Sequence, residues 1–333
     1  MEPRLIWETA SKVASRPVGR LFPARKTDAA LRALFGDNRD VLTCLADEPS
    51  TRGQVMLAYL DPPFWTGREH RVLERGQTEG EVAFDDRWEN LSEYLEHLAE
   101  RARLVRELLH PAGSLVLHVD PKTSHYVKLV LDQIFGREAF ASEVIWRYRR
   151  WPSKTKNFQR VHDVMLRYVK DPSVEPRFQQ LYEPLAPSTQ KTWGDRKQRA
   201  VVGEEGRRLR SSKSEIESPG TPLGDVWEIG IIAPVARERT GYPTQKPLAL
   251  LRRWIEACTF AGDLVLDPYA GSGTTLVAAA ELGRRAIGID QGAASREILR
   301  QRLKAAELEC LEQEFGPRLR SAGRGEAAQR RAG

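Results

Sequence analysis

From Asp263 to Asp290 the chain reads strand, glycine-broken loop, helix, strand, acid. Asp263 to Leu266 is a short apolar run. Asp267-Pro268-Tyr269-Ala270-Gly271-Ser272-Gly273 forms the loop, Thr274 to Leu282 a helix and Arg285 to Ile289 a second strand. This order restricts the fold more than any other feature of the sequence. Strands that alternate with helices belong to a mostly parallel, doubly wound α/β sheet. In such sheets ligands bind beyond the carboxyl ends of the strands, so the loop after the first strand is placed to hold one.

The same alternation runs through the first 150 residues. Asn38 to Glu48 reads as a short helix, and Gln54 to Leu60 as a strand stopped by Asp61-Pro62-Pro63-Phe64. Apolar residues at helical spacing run from Leu91 to Leu109 and end at Pro111-Ala112-Gly113. Ser114 to Val119 is a buried-type strand closed by Asp120. Tyr126 to Phe135 is a helix ending at Gly136, and Phe140 to Tyr148 and Val161 to Val169 read as further strands. From about Trp151 to Gly224 the chain is polar and basic, with frequent proline and glycine. A helix from Leu248 to Thr259 restores the pattern, and Ser295 to Leu311 reads as the last helix. The sheet is therefore expected to be built from both ends of the sequence.

Charge separates the middle from the rest. Arg147 to Lys213 holds 17 Lys/Arg against 7 Asp/Glu, a local net of +10 in a chain whose total is +6. Trp146, Tyr148, Trp151, Phe158, Tyr168, Phe178, Tyr182 and Trp193 lie in or beside it. Basic residues interleaved with aromatics suit a polyanion whose bases can be stacked upon, although a solvated basic face has the same composition. No run approaches the ~20 apolar residues of a membrane span. The start, Met1-Glu2-Pro3-Arg4, lacks the pattern of a signal peptide, so a cytoplasmic protein is the expectation. Cys44, Cys258 and Cys310 form no CxxC pair, against both a disulfide framework and a zinc site; no metal is expected. Gly316 to Gly333, rich in Arg, Ala and Gly, reads as a disordered tail.

Two motifs carry chemistry. In the loop, glycines let a ligand approach the backbone, and the following helix start offers unpaired N–H groups. Leu276 stands where a dinucleotide fingerprint would place a third glycine, and no Lys-Ser/Thr follows as in a nucleotide-triphosphate loop. Asp290 ends the next strand, where a carboxylate can accept both hydroxyls of a ribose. An adenosine-bearing ligand without a pyrophosphate fits. In Asp61-Pro62-Pro63-Phe64, the carboxylate and a proline-fixed carbonyl can each accept one hydrogen of an exocyclic amine. They then favour a pyramidal nitrogen and stabilise the charge that develops on it, while Phe64 can stack on a base taken out of a duplex.

With both motifs in one chain, the sequence resembles the amino-group DNA methyltransferases, in particular the adenine-N6 members of the β class, including the modification subunits of type III restriction systems. The resemblance runs from about Leu34 to Leu311. It includes Phe35-Gly36-Asp37-Asn38, Tyr59-Leu60-Asp61-Pro62-Pro63-Phe64, Leu131-Asp132-Gln133-Ile134-Phe135-Gly136, Asp225-Val226-Trp227 and Tyr242-Pro243-Thr244-Gln245-Lys246-Pro247-Leu248. It implies a Rossmann-like S-adenosylmethionine-dependent fold, double-stranded DNA as substrate and S-adenosylmethionine as cofactor. It divides the chain into a catalytic half (1–150), an inserted target-recognition region (151–227), a cofactor-binding half (228–315) and the basic tail (316–333).

By resemblance, Asp61, Pro62, Pro63 and Phe64 are catalytic. Asp267, Gly271 and Gly273, with Pro268, Ala270, Ser272 and Thr274 between and beside them, form the cofactor site. Asp290 takes the ribose, and Thr244 and Lys246 approach the methionine end. Asp37 could touch the cofactor, and serves equally well as a helix N-cap. Trp65 stands where asparagine is common, and Tyr269-Ala270 replaces the usual Phe-Cys. His118 is expected to be structural, and Asp85 and Asp86 to face solvent. Cytosine N4 as the target, an RNA substrate and a non-catalytic nucleic-acid-binding role stay open. A homodimer and a partner endonuclease are compatible with the resemblance, and the residues choose neither.

Overall fold

The computed structural model describes residues 29–72, 80–154, 156–202 and 208–315. The tail that the sequence marks as disordered lies outside them. The first half contains β1 (Leu31–Phe35), α1 (Asn38–Asp47), β2 (Val55–Leu60), β3 (Glu69–Arg71), β4 (Val82–Asp85), α2 (Leu91–Leu108), β5 (Leu109–Val119), α3 (Ser124–Phe135) and β6 (Phe140–Arg147). Then come β7 (His162–Val169), β8 (Tyr182–Glu183), α4 (Pro187–Trp193), β9 (Arg196–Val202), β10 (Arg208–Glu217), β11 (Thr221–Pro222) and β12 (Val226–Glu228). The last part contains α5 (Leu248–Cys258), β13 (Leu264–Asp267), α6 (Thr274–Glu281), β14 (Arg285–Asp290), α7 (Ala293–Ala305) and β15 (Leu311–Glu314).

Nine strands form one sheet in the order β12-β6-β7-β5-β2-β13-β14-β1-β15. All neighbouring pairs are parallel except those of β7, which is antiparallel to both β5 and β6. The central strands are buried on both faces, and their side chains alternate between two cores. Ala58 and Leu60 of β2, Leu115 and Leu117 of β5 and Leu266 of β13 pack with Leu42 of α1, Leu98 of α2 and Leu131 of α3. Leu57, Tyr59, Val116 and Val265 point the other way, onto Trp254 of α5, Val277 of α6 and Leu299 of α7. A period of two with helices on both sides is the doubly wound α/β fold expected from the sequence.

Three expectations are corrected. The sheet takes β7 from inside 151–227, so the chain that leaves the sheet does so only after Val169. The strand expected from Ser114 begins at Leu109; a register shift opposite Val55 and Leu57 accommodates residues 110–113, so Pro111 needs no ladder donor. The last helix stops at Ala305 rather than Leu311. There Glu307 adopts φ 55°, with its N–H on Lys304 O and that of Leu308 on Leu303 O, a helix end ordinarily marked by glycine. The freed segment forms β15, which pairs with β1 at the sheet edge.

Gly113 marks a close approach of β5 to β2. A Cβ there would lie 2.7 Å from Val55 O, 3.0 Å from His110 O and 3.1 Å from Met56 O, all backbone atoms that cannot swing aside. Gly113→Ala should therefore cost about 1–3 kcal/mol, read as a lower urea midpoint at unchanged m-value. An unchanged midpoint would show that the bulge relaxes freely.

Candidate active site

Because β1, β2, β5, β13 and β14 run the same way, their carboxyl ends share one edge of the sheet. One cleft along that edge is lined by Asp61, Pro62, Pro63 and Phe64 after β2, by Asp267, Pro268, Ala270, Gly271, Ser272 and Thr274 after β13, by Asp290 and by Asp37. Thr244 and Lys246 close it from the segment before α5. Of the residues assigned by resemblance to the catalytic and cofactor sites, Gly273 alone stands outside the cleft lining. It caps α6 in the left-handed conformation (φ 74°), and a Cβ there would lie 2.9 Å from Leu299. It shapes the loop from behind.

The Asp61-Pro62-Pro63-Phe64 tetrapeptide is held by charge. Lys246 Nζ donates to Asp61 Oδ2 and, at 3.3 Å, to Thr244 O, and lies 5.1 Å from the centre of the Phe64 ring. Asp61 Oδ1 is buried and has no hydrogen-bond partner among the described residues; His118 Nδ1 lies 3.7 Å away. His118 is fully buried, within hydrogen-bond distance of Tyr59 OH (2.8 Å) and Asp163 Oδ2 (3.3 Å), and Tyr148 OH donates to Asp163 Oδ1 at 3.0 Å. Burial, followed by the charge of Asp61, pushes the Tyr59 hydroxyl far above its ordinary pKa, so it stays protonated.

Asp290 accepts from Gly271 N through one oxygen and Gly292 N through the other, both at 2.8 Å. Burial raises its pKa, and these backbone donors oppose the rise. Asp267 is deeper. Its oxygens accept from Tyr269 N (2.9 Å) and Thr275 Oγ1 (2.5 Å), and burial pushes its pKa up to about 7. Asp37 is the N-cap of α1, accepting from Arg39 N, and Arg101 Nη2 donates to it at 3.3 Å.

Asp86 corrects the expectation of solvent exposure. It is fully buried and accepts from Trp65 N (2.7 Å), Thr66 N (2.8 Å), Thr66 Oγ1 (2.6 Å) and Trp88 Nε1 (3.3 Å), so it clamps the chain just beyond Phe64. Asp85 is half-exposed and paired with Arg87. Sequence reasoning also passed over Arg101, whose buried guanidinium donates to Asn38 Oδ1 while Asn38 Nδ2 donates to Pro268 O, tying α2 to the loop after β13. His97 beside it lies 3.1 Å from Tyr269 OH, and burial and Arg101 lower its pKa to about 3. An arginine in a helix carries no local signal that its head turns inward.

The sequence profile of the N6/N4 DNA methylases matches residues 55–301, a span holding both motifs. The chain belongs to this family. Type II methyltransferase M.HpaI of Haemophilus parainfluenzae is 28% identical over 75% of this chain and 68% of its own length, and M.EcaI of Enterobacter cloacae 28% over 78% and 66%. The chain thus spans about two thirds of these two relatives. DNA adenine methyltransferase YhdJ of Escherichia coli is 26% identical over 80% of this chain and 81% of its own. M.HpaI and M.EcaI are type II enzymes by name, and the expected likeness to type III modification subunits is not shown. A DNA modification methylase of Thermus thermophilus, solved with S-adenosylmethionine, superposes with a TM-score of 0.51 at 21% identity, covering 86% and 99% of the two chains. The cytosine-N4-specific PvuII methyltransferase gives 0.51 at 17%, covering 85% and 96%. At such identities these two speak for the fold.

The Asp267 carboxyl supplies a pH test. Its folded pKa of about 7 lies above the ordinary aspartate value of 3.8. The folded state therefore binds its proton more tightly than the unfolded chain, and this group's contribution to stability falls as pH rises from about 4 to 7. Asp267→Asn removes that loss. Urea midpoints should move in favour of the variant, relative to wild type, between about pH 4 and about pH 8. A constant difference would mean that Asp267 is ionised throughout.

Proposed function

We propose that the protein methylates the N6 amino group of adenine in double-stranded DNA, with S-adenosylmethionine as methyl donor. The observation that carries this reading is the placing of Asp61, with one buried oxygen lacking a partner, in the same cleft as the Asp267–Thr274 loop and Asp290. That oxygen is an acceptor waiting for a donor, which an exocyclic amine provides. The donor set of the cleft also fits the cofactor: Asp290 for the ribose hydroxyls, the loop backbone and Asp267 around the adenosine side, and Thr244 and Lys246 toward the methionine end. When bound, S-adenosylmethionine supplies an electrophilic methyl group.

The chain's own residues prepare the nitrogen. Asp61 and the carbonyl of Pro62 or Pro63 each accept one N–H of the amine, drawing its lone pair out of conjugation with the ring. Asp61 then stabilises the positive charge that develops. In the free protein Lys246 neutralises Asp61. As the amine arrives, Lys246 yields part of that contact and retains Thr244 O as its other acceptor. Phe64 stacks on the extruded base. The basic stretch within 151–227 reads as the target-recognition region, making several phosphate contacts. Adenine is favoured over cytosine by the carboxylate at position 61, where cytosine-N4 enzymes usually carry serine, and by the name of the relative YhdJ.

Asp61→Ala should reduce methyl transfer to DNA by at least about 10²-fold, the scale of one lost transition-state contact. Cofactor affinity by calorimetry should stay nearly unchanged. A folded variant retaining a tenth of wild-type turnover would remove Asp61 from catalysis.

Nucleosides from treated DNA should contain N6-methyladenine by mass spectrometry. N4-methylcytosine without methyladenine would reassign the target base while leaving the methyltransferase in place.

A further inference from the structure

The loop from Tyr148 to Val161 joins β6 to β7 at the edge of the sheet that carries the cleft. Its base is closed by Tyr148 N on Val161 O at 2.9 Å and by Gln159 Nε2 on Trp151 O at 2.7 Å. Arg160 anchors it to Asp120, the residue that follows β5. Two residues past Val161, Asp163 contacts His118, which in turn faces Asp61. The loop is thus mechanically tied to the catalytic strand ends.

What it presents to solvent is unusual. Trp151 is 92% exposed and Phe158 98%, whereas most other aromatic side chains of the described residues are at least partly covered. Burial of such rings is worth several times more than burial of a methyl group, so two of them left in water on one short loop call for a partner. The chemistry of the partner is set by their neighbours. Residues 148–161 hold Arg149, Arg150, Lys154, Lys156 and Arg160 and no acidic residue. Aromatic faces within a purely cationic loop match stacked bases flanked by phosphates.

We infer that Trp151 and Phe158 form a wedge that enters the DNA stack at the target site and occupies the gap left by the extruded base. The inference rests on the reading of the cleft as a DNA methyltransferase site. Extruding a base costs its stacking and pairing, and an apolar ring inserted between base steps offsets part of that cost. The wedge acts on the duplex, whereas Phe64 receives the base inside the cleft.

The test uses the full chain and a duplex bearing the site that modified-base sequencing finds in DNA from cells expressing the wild type. Trp151→Ala, Phe158→Ala and the double variant leave the core intact, because neither ring is packed into it. Each is assayed on the paired duplex and on the same duplex with the target base mispaired, which is already cheap to extrude. The double variant should lose about tenfold or more in kcat/KM on the paired duplex and recover to within about threefold of wild type on the mispaired one. Unchanged activity on the paired duplex, or an equal loss on both, would overturn the wedge. Absence of methyl transfer by the wild type to any DNA would overturn the methyltransferase reading itself.

Discussion

Parallel strands end together, and in this sheet β2, β5, β13 and β14 are each ended or followed by an aspartate: Asp61, Asp120, Asp267 and Asp290. Four carboxylates along one edge repel one another and lose hydration as the cleft closes around them. Each is answered differently. Asp61 is paired with Lys246 and Asp120 with Arg160. Asp290 is held by two backbone N–H groups, and Asp267 by a hydroxyl and one N–H, its pKa raised to about 7. The cationic answers are side chains that can move. The backbone answers cannot. Asp61 therefore sits where its side-chain partner can be exchanged, and Asp290 where backbone donors fix its orientation.

The strands and helices that build this edge were legible because their apolar periods are long and clean. The limits of α1, α2, α3 and α5 follow from the sequence to within a few residues, and so does the placing of both motifs at strand ends. The end of α7 was not legible because Glu307 takes the left-handed position that glycine usually marks. That hid β15 as well. Asp86 was missed for a different reason: a carboxylate beside another carboxylate and an arginine has the composition of a surface loop. Only the folded chain shows that the N–H groups of residues 65 and 66 converge on it.

Those N–H groups explain a departure from the family pattern. Trp65 has φ 57°, a left-handed conformation that asparagine, the common residue at this position by resemblance, adopts readily and tryptophan does not. Such a conformation persists only where its surroundings over-determine it, at a cost of about 1–3 kcal/mol. Here Asp86 accepts the Trp65 N–H, and the indole stacks on Tyr94 at 6.2 Å between ring centres and 21° between planes. Thr244, on the opposite wall of the cleft, has φ 59° and presents its carbonyl to Lys246.

Two strained residues therefore flank Asp61, one fixing the chain beyond Phe64 and the other fixing the lysine that neutralises the carboxylate. Relaxing Trp65 would let Phe64 drift from its place beside His118, where the rings are 5.4 Å apart. Relaxing Thr244 would withdraw the second acceptor of Lys246 and leave that lysine held by Asp61 alone. A lysine with a single partner leaves it reluctantly, because a buried ammonium without an acceptor is strongly disfavoured. The strain at Thr244 thus works toward exchange at Asp61, and the strain at Trp65 toward a fixed ring. The two strained positions thus divide between them a movable contact at Asp61 and a fixed ring at Phe64.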